Sequence, residues 1–233
     1  MRGCLFVLLL GAAVVIGSVL IAGPTVVGGA ATVVLSLAGF SGEETSVDVS
    51  SDSPLELLQL HADEMRITSR DATYRDVQVG RVDVTLTDVD LGARTSERID
   101  GRLEDVLLVR EGASDIRVRR IDIEGRTPRP AMRVMLPAAE VELLVTDAIE
   151  AASGQRPGGV SLEAPDRLTF VVGGLPVGGR LSVDSAGGLV LDPDIPVLPR
   201  SDVFRPDSTL PFRLSDFSIG DAGLELVGTL DLG

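Results

Sequence analysis

The feature that most constrains the fold is a recurring interruption in the alternation of apolar and polar residues. A strand with one buried face places apolar residues at every second position, and one extra residue moves the following side chains to the other face. In the stretch that contains "LTDVDL" (86–91), apolar residues lie at even positions from Val82 to Leu86, before Asp88, and at odd positions after it, Val89 and Leu91. The form apolar-x-Asp-apolar-x-apolar recurs in "YRDVQV" (74–79), "LEDVLL" (103–108) and "LSDFSI" (214–219), and "VRRIDI" (118–123) repeats it without the Asp.

We interpret these interruptions as β-bulges, because a bulge adds one residue, bends the strand and increases its twist. A bulge that recurs in successive strands would curl the whole sheet, and a curled sheet can wrap a helix or enclose a cavity. The alternative is that the Asp marks a turn at which two short strands meet.

One helix interrupts the predicted strands, in "LPAAEVELLVTDAIEAASG" (136–154). Pro137 suits its first turn and Gly154 its end. The spacing i, i+3, i+4, i+7, i+8, i+11 gives it an apolar face, formed by Val141, Leu144, Val145, Ala148, Ile149 and Ala152. This face either packs on a sheet or closes one side of an apolar cavity.

Glycines mark the predicted turns after the helix. The pairs at 173–174, 178–179 and 187–188 separate apolar runs at hairpin spacing. The "GDAG" at 220–223 has no ligand pattern around it, so we predict a hairpin turn in which Gly223 supplies a positive φ.

The N-terminus is strongly apolar. The run from Cys4 to Ala22 contains 19 residues without a charge, and as a helix it would span about 28 Å, close to the hydrocarbon thickness of a bilayer. We therefore divide the chain into residues 1–24, a retained membrane anchor or a cleaved signal segment, and residues 25–233, an exported β-rich domain with Arg2 left on the cytoplasmic side. Residues 25–40 are nearly as apolar, and the sequence allows them to lie in the membrane or inside the exported domain.

Composition argues against several functions. The chain has 35 acidic residues against 21 basic ones, a net charge of −14, which disfavours nucleic acid as a partner. One cysteine and one histidine, His61, cannot form a Cys/His zinc site or a disulfide. No nucleophile–base pair, phosphate loop or calcium loop can be identified, so we predict no enzyme activity, no cofactor and no metal.

The order of these features resembles the LmeA-like phospholipid-binding envelope proteins of actinobacteria. The resemblance covers roughly residues 25–232, and it is carried by the anchor, "VDVTLTDVDL", the helix beginning "LPAAEVELLVTDAI", and the closing "LPFRLSDFSIGDAGLELVGTLDL". It implies an α+β fold with a long curved antiparallel β-sheet wrapped around one or two helices, similar to tubular lipid-binding domains.

The resemblance also implies a function, the non-catalytic binding or transfer of phospholipid or glycolipid in the cell envelope. The domain would then lie outside the cytoplasmic membrane, held by a single-pass anchor, or in the periplasm if the anchor is cleaved. Acyl chains would lie in an apolar interior, and the expected lipid-binding residues are Val141, Leu144, Val145, Ala148, Ile149, Phe170, Phe212 and Phe217. The alternative is a structural or scaffolding envelope protein whose interior is filled by its own side chains.

Overall fold

The computed structural model describes residues 40–53, 56, 59, 61–74, 77–90, 93, 95–109, 115–205 and 212–231. The predicted anchor, 1–24, and the apolar segment up to residue 39 lie outside the described residues. Within the described residues, thirteen strands and one long α-helix follow in the order β1 Phe40–Ser50, β2 His61–Tyr74, β3 Val77–Asp90, β4 Thr95–Leu108, β5 Ile116–Gly125, β6 Ala131–Leu136, α1 Ala138–Ser153, β7 Gly158–Glu163, β8 Arg167–Val172, β9 Leu175–Val183, β10 Leu189–Pro193, β11 Ser201–Phe204, β12 Phe212–Gly220 and β13 Gly223–Leu230.

The strands form two antiparallel sheets, so the predicted β-rich α+β class is confirmed. The large sheet has eight strands in the order β1-β2-β3-β4-β5-β6-β13-β12, and the small sheet has five in the order β11-β10-β9-β8-β7. The helix and the whole small sheet are inserted between β6 and β12. Strand β13 then returns beside β6 and leaves β12 at the edge of the large sheet.

Three of the predicted interruptions lie within single strands of the large sheet. In β3, β4 and β12 the buried positions change parity at Asp88, Asp105 and Asp216. In β5 the parity changes between Val118 and Ile121, as "VRRIDI" predicts. Apolar residues on both sides of each interruption are buried, so a strand keeps one apolar face although its parity changes.

The fifth interruption was interpreted wrongly. Strand β2 ends at Tyr74, β3 begins at Val77, and these two residues pair across a hairpin. "YRDVQV" is therefore a connection between two strands, which is the turn alternative.

The pairing pattern also differs from isolated bulges. An extra residue relative to its partner occurs in β12, where Leu214 pairs with Gly228 and Asp216 with Val227, so that Ser215 is additional. In β2 to β5 the interruption falls at the same level in neighbouring strands and the register is kept. Arg70–Arg81 and Ala72–Val79 are pairs in β2 and β3, but Asp71 and Gly80 between them are not.

Two rows of interruptions cross the large sheet as a result. The first row contains Asp71, Gly80, Asp105 and Arg119, one residue from each of β2 to β5. The second contains Asp63, Asp88 and Glu97, from β2 to β4. Asp71, Asp88 and Asp105 have positive φ values of 45°, 49° and 53°. Because these left-handed residues are solvent-exposed, each row breaks the alternation without placing a charge on the apolar face.

The two faces of the large sheet differ in charge. The buried face contributes most of the hydrophobic core, for example Ile67, Val84, Leu103 and Ile121. The other face has ion pairs between neighbouring strands, such as Arg102–Asp122 at 3.0 Å and Arg133–Glu225 at 3.0 Å. Such exposed pairs each contribute less than about 1 kcal/mol, so burial of the apolar face dominates the stability of the sheet.

Candidate functional site

The predicted helix lies where the two sheets meet. It begins after Pro137 and ends at Gly154, which has φ 70°, so both predicted ends are confirmed. The helix contacts β5 and β13 of the large sheet and β7 and β11 of the small sheet. Because it has a sheet on more than one side, its buried surface is wider than one stripe, and it includes Thr146, which the apolar spacing did not indicate. Ala152 is exposed, so the buried face ends before the last turn.

The helical residues of the candidate lipid site fall into two groups. Val141, Val145 and Ile149 are at most 2% exposed and belong to the main core. Leu144 and Ala148 are half-buried and pack against that core. The second group is thus the part of the helix that a ligand could reach without displacing the centre of the core.

The three predicted phenylalanines lie on strands β8 and β12. Phe170 in β8 and Phe212 in β12 are fully buried, and Phe217 in β12 is half-buried. The ring of Phe212 lies 6.3 Å from that of Phe204 in β11, so the contact joins the edge strand of the large sheet to the small sheet. All eight predicted residues therefore belong to one continuous apolar cluster around the helix.

Glycines on neighbouring strands make room for the ring of Phe212 and for the side chain of Leu191. A Cβ at Gly228 in β13 would come within 2.7 Å of Cε2 of Phe212. A Cβ at Gly179 in β9 would lie 3.5 Å from Cε1 of Phe170 and 2.8 Å from Cδ1 of Leu191. Gly179 was predicted as part of a turn, but it lies inside β9, where its lack of a side chain serves packing.

A tight turn of the small sheet is hydrogen-bonded to the large sheet near this cluster. Between β9 and β10, Oδ1 of Asp184 accepts hydrogen bonds from the backbone N–H of Gly188 at 2.8 Å and of Ala186 at 2.9 Å. These bonds, that of Gly188 first, lower the pKa of the Asp184 carboxyl group. The carbonyl oxygen of Gly187 in turn accepts a hydrogen bond from the N–H of Leu214 in β12, at 3.1 Å.

Two aspartates at the end of β10 form ion pairs. Asp192 lies 3.4 Å from Nε of Arg200, and Asp194 lies 2.9 Å from an amino nitrogen of Arg167. His61 is half-buried at the start of β2, opposite Asp90. No group of three or more potential metal ligands occurs among the residues that the structure describes.

The "GDAG" turn is confirmed as a hairpin. Gly220 pairs with Gly223, and Gly223 has φ 122°. A side chain at Gly223 would overlap the carbonyl oxygen of Leu136, just before the helix begins, so this glycine also allows β13 to approach the start of α1.

Within the described part of the chain, the structure has no helix that is long and apolar enough to cross a membrane. Comparison of the chain with protein-family models, with curated proteins and with solved structures gave no significant match.

Proposed function

We propose that this protein binds or transfers phospholipid or glycolipid in the cell envelope without catalysis. Residues 1–24 would hold it at the membrane as a single-pass anchor, with the domain from residue 25 onward outside the cytoplasm, or would release it to the periplasm after cleavage. The resemblance to LmeA-like proteins is part of this proposal.

The observation that carries the proposal is the pair of interruption rows across the large sheet. Strands β2, β3 and β4 are 14 residues long, and their apolar residues stay on one face on both sides of each row. Bends at one level in successive strands curve a sheet towards one side. The proposed architecture is a sheet curved around the helix, with an apolar interior, similar to tubular lipid-binding domains.

The helix supplies the proposed contact with acyl chains. Leu144, Ala148 and Phe217 are the half-buried residues among the eight predicted ones. An acyl chain beside them would extend the core. Each buried methylene contributes about 0.8 kcal/mol, so affinity would increase with chain length until the interior is filled.

The test is to fill this position from the protein side. The change Ala148→Phe places a ring where the acyl chain is proposed to lie, and Ala151→Phe adds the same ring to an exposed position of the same helix. We expect residues 25–233 to be purified with bound lipid, detected by mass spectrometry, and to take up a fluorescent phospholipid. Ala148→Phe should reduce both several-fold and Ala151→Phe neither.

Circular dichroism must show that both variants are folded. Repeated purification of the unsubstituted domain without lipid, and with no uptake of the fluorescent phospholipid, would contradict the proposal.

A second function is a structural or scaffolding role with a filled interior. The burial of Val141, Val145, Ile149, Phe170 and Phe212 to 2% exposure or less favours it, because these side chains already pack against one another. It predicts no lipid uptake, and it predicts that Ala148→Phe lowers the melting temperature through overpacking.

A further inference from the structure

One end of the small sheet is apolar and exposed. Five large hydrophobic residues are exposed among the described residues, and four of them belong to the β8–β9 hairpin or to the loop between β10 and β11. We call this surface the apolar tip, and it consists of Val171, Leu175, Ile195 and Val197. Leu175 is 69% exposed and Val197 is 87% exposed, so these are not side chains at the margin of the core.

Hydrogen bonds hold the two segments side by side. The N–H of Asp194 donates to the carbonyl oxygen of Gly178 at 2.8 Å, and a side-chain oxygen of Asp194 lies 2.9 Å from Arg167 in β8. Leu175 precedes Gly178 by three residues, or about 10 Å along a strand. The two apolar segments thus form one surface at the same end of the sheet.

The two segments that form the apolar tip contain no charged residue. No charged residue occurs from Val171 to Gly179 or from Ile195 to Pro199, although 24% of the whole chain is charged. Asp194, which directly precedes Ile195, is paired with Arg167. In a protein of net charge −14, this end is therefore complementary to an uncharged apolar phase rather than to an ionic surface.

The backbone of the loop is also suited to an apolar phase, where an unpaired N–H is costly. Pro176 and Pro196 have no N–H to satisfy. The N–H of Leu198 donates to the carbonyl oxygen of Ile195 at 3.3 Å, which closes a turn with Pro196 at its second position and Val197 at its third. The side chain of Val197 is thereby presented at the outermost point of the turn.

We infer that the apolar tip inserts into the interface of a lipid bilayer that is neutral in charge. The predicted anchor would keep the domain near such a surface, since residues 25–39 can span at most about 54 Å when fully extended. The inference concerns docking, and it does not require a lipid in the interior of the protein.

The experiment measures the depth of single labels in the full chain. With Cys4→Ser as background, an environment-sensitive nitrobenzoxadiazole label is attached to Leu175→Cys or Val197→Cys, and the protein is reconstituted into phosphatidylcholine vesicles. Matched labels at Ala93→Cys and Asp221→Cys occupy exposed turns at opposite ends of the large sheet. We expect blue-shifted emission and several-fold weaker quenching by an aqueous quencher at 175 and 197 only.

A charge at the tip separates docking from tethering by the anchor. Val197→Asp should abolish the shift of the label at 175, whereas Ser185→Asp, at the other end of the small sheet, should leave it unchanged. Replacing half of the phosphatidylcholine by phosphatidylglycerol should weaken the protection, because the protein is acidic.

Water-like emission at 175 and 197 in vesicles would overturn the inference. Equal protection of these labels in protein without lipid would also overturn it, because the occupant of the tip would then be another copy of the protein. Since interior lipid uptake is measured separately on residues 25–233, failure of the proposed function and failure of this inference give different results.

Discussion

The large and small sheets both contain residues with positive φ, but among the described residues only the large sheet places residues other than glycine there. In the large sheet the non-glycine residues with positive φ are Glu44, Asp71, Asp88 and Asp105, all within strands and all exposed. In the small sheet they are glycines, and Gly173, Gly174 and Gly187 occupy its hairpin turns. An interruption inside a strand has space on its solvent side for a short polar side chain, and a carboxylate there keeps that side polar.

The glycines of the small sheet serve two purposes. A Cβ at Gly173 or Gly174 would meet nothing within 4 Å, so only the backbone conformation favours glycine there. A Cβ at Gly187 would lie 3.1 Å from Cβ and 3.2 Å from Cα of Arg213, so close packing requires glycine as well. Backbone conformation alone therefore favours glycine at positions 173 and 174, whereas at position 187 the lack of space beside Arg213 favours it as well.

The largest effect is expected from deletions in β12. Deleting Arg213 moves Phe212, which is fully buried, out of the core, and should destabilise the protein by about 3 kcal/mol or more. Deleting Ser215 removes the extra residue of the bulge but leaves Phe212, Leu214, Phe217 and Ile219 on one face, and should cost about 1–2 kcal/mol. Thermal unfolding in detergent solution, followed by circular dichroism, measures both changes.

Equal losses from the two deletions would mean that β12 carries no functional bulge. The Ser215 deletion also bears on the proposed curvature, since straightening this strand should reduce lipid uptake more than its effect on stability accounts for.

The glycines of the small sheet should differ from one another. Gly187→Ala combines a left-handed alanine with crowding against Arg213, and should cost about 2–3 kcal/mol. Gly173→Ala has only the conformational cost, about 1 kcal/mol. The measurement is the difference in unfolding free energy, and similar values for the two variants would show that contact with β12 does not depend on Gly187.

The sequence predicted the local features of the fold and fewer of the long-range ones. The ends of the helix follow from Pro137 and Gly154, and the last hairpin follows from Gly220 and Gly223. Asp88, Asp105 and Asp216 were found because apolar residues flank them at fixed spacing. In each case the signal lies within about ten residues of the feature.

The interruption at Asp71 was missed because of Ser69. The segment "SRDATY" (69–74) has the same form as the others, except that serine occupies the first apolar position. Ser69 is nevertheless buried, and its hydroxyl group lies 2.8 Å from that of Thr45 in β1. A cross-strand hydrogen bond thus replaces an apolar contact, and the partner lies 24 residues away.

The surroundings of the helix and the apolar tip could not be predicted for a similar reason. Whether a helix has a sheet on one side or two depends on where residues 158–204 return to it. Exposure of Leu175 and Val197 depends on what the rest of the chain leaves uncovered. An apolar spacing identifies residues that avoid water, but not the element that covers them.

A smaller effect is expected at the interruptions themselves. Asp105→Val places a β-branched residue at φ 53° and should destabilise the protein by about 1–2 kcal/mol. Asp105→Gly removes the steric cost but increases the conformational freedom of the unfolded chain. Its unfolding free energy should therefore lie within about 0.5 kcal/mol of that of the unsubstituted protein. If Asp105→Gly is as harmful as Asp105→Val, the carboxylate itself, rather than its tolerance of positive φ, stabilises the interruption.

The smallest effect is expected at Asp184, and it should depend on pH. Hydrogen bonds from backbone N–H groups lower the pKa of this carboxyl group in the folded protein. The charged form therefore contributes stability above the pKa of the unfolded chain, and that contribution is lost as the pH falls through the folded value.

The amide oxygen of Asp184→Asn can still accept both hydrogen bonds, so this change removes the charge alone. Its melting temperature should be slightly lower than that of the unsubstituted protein at pH 7, and the two values should converge in acid as the Asp184 carboxyl group of the folded protein becomes protonated. Asp221→Asn, in the turn between β12 and β13, removes the same charge from the large sheet and serves as the control. A deficit for Asp184→Asn that persists or grows in acid would show that the turn between β9 and β10 depends on the shape of the side chain and not on its charge.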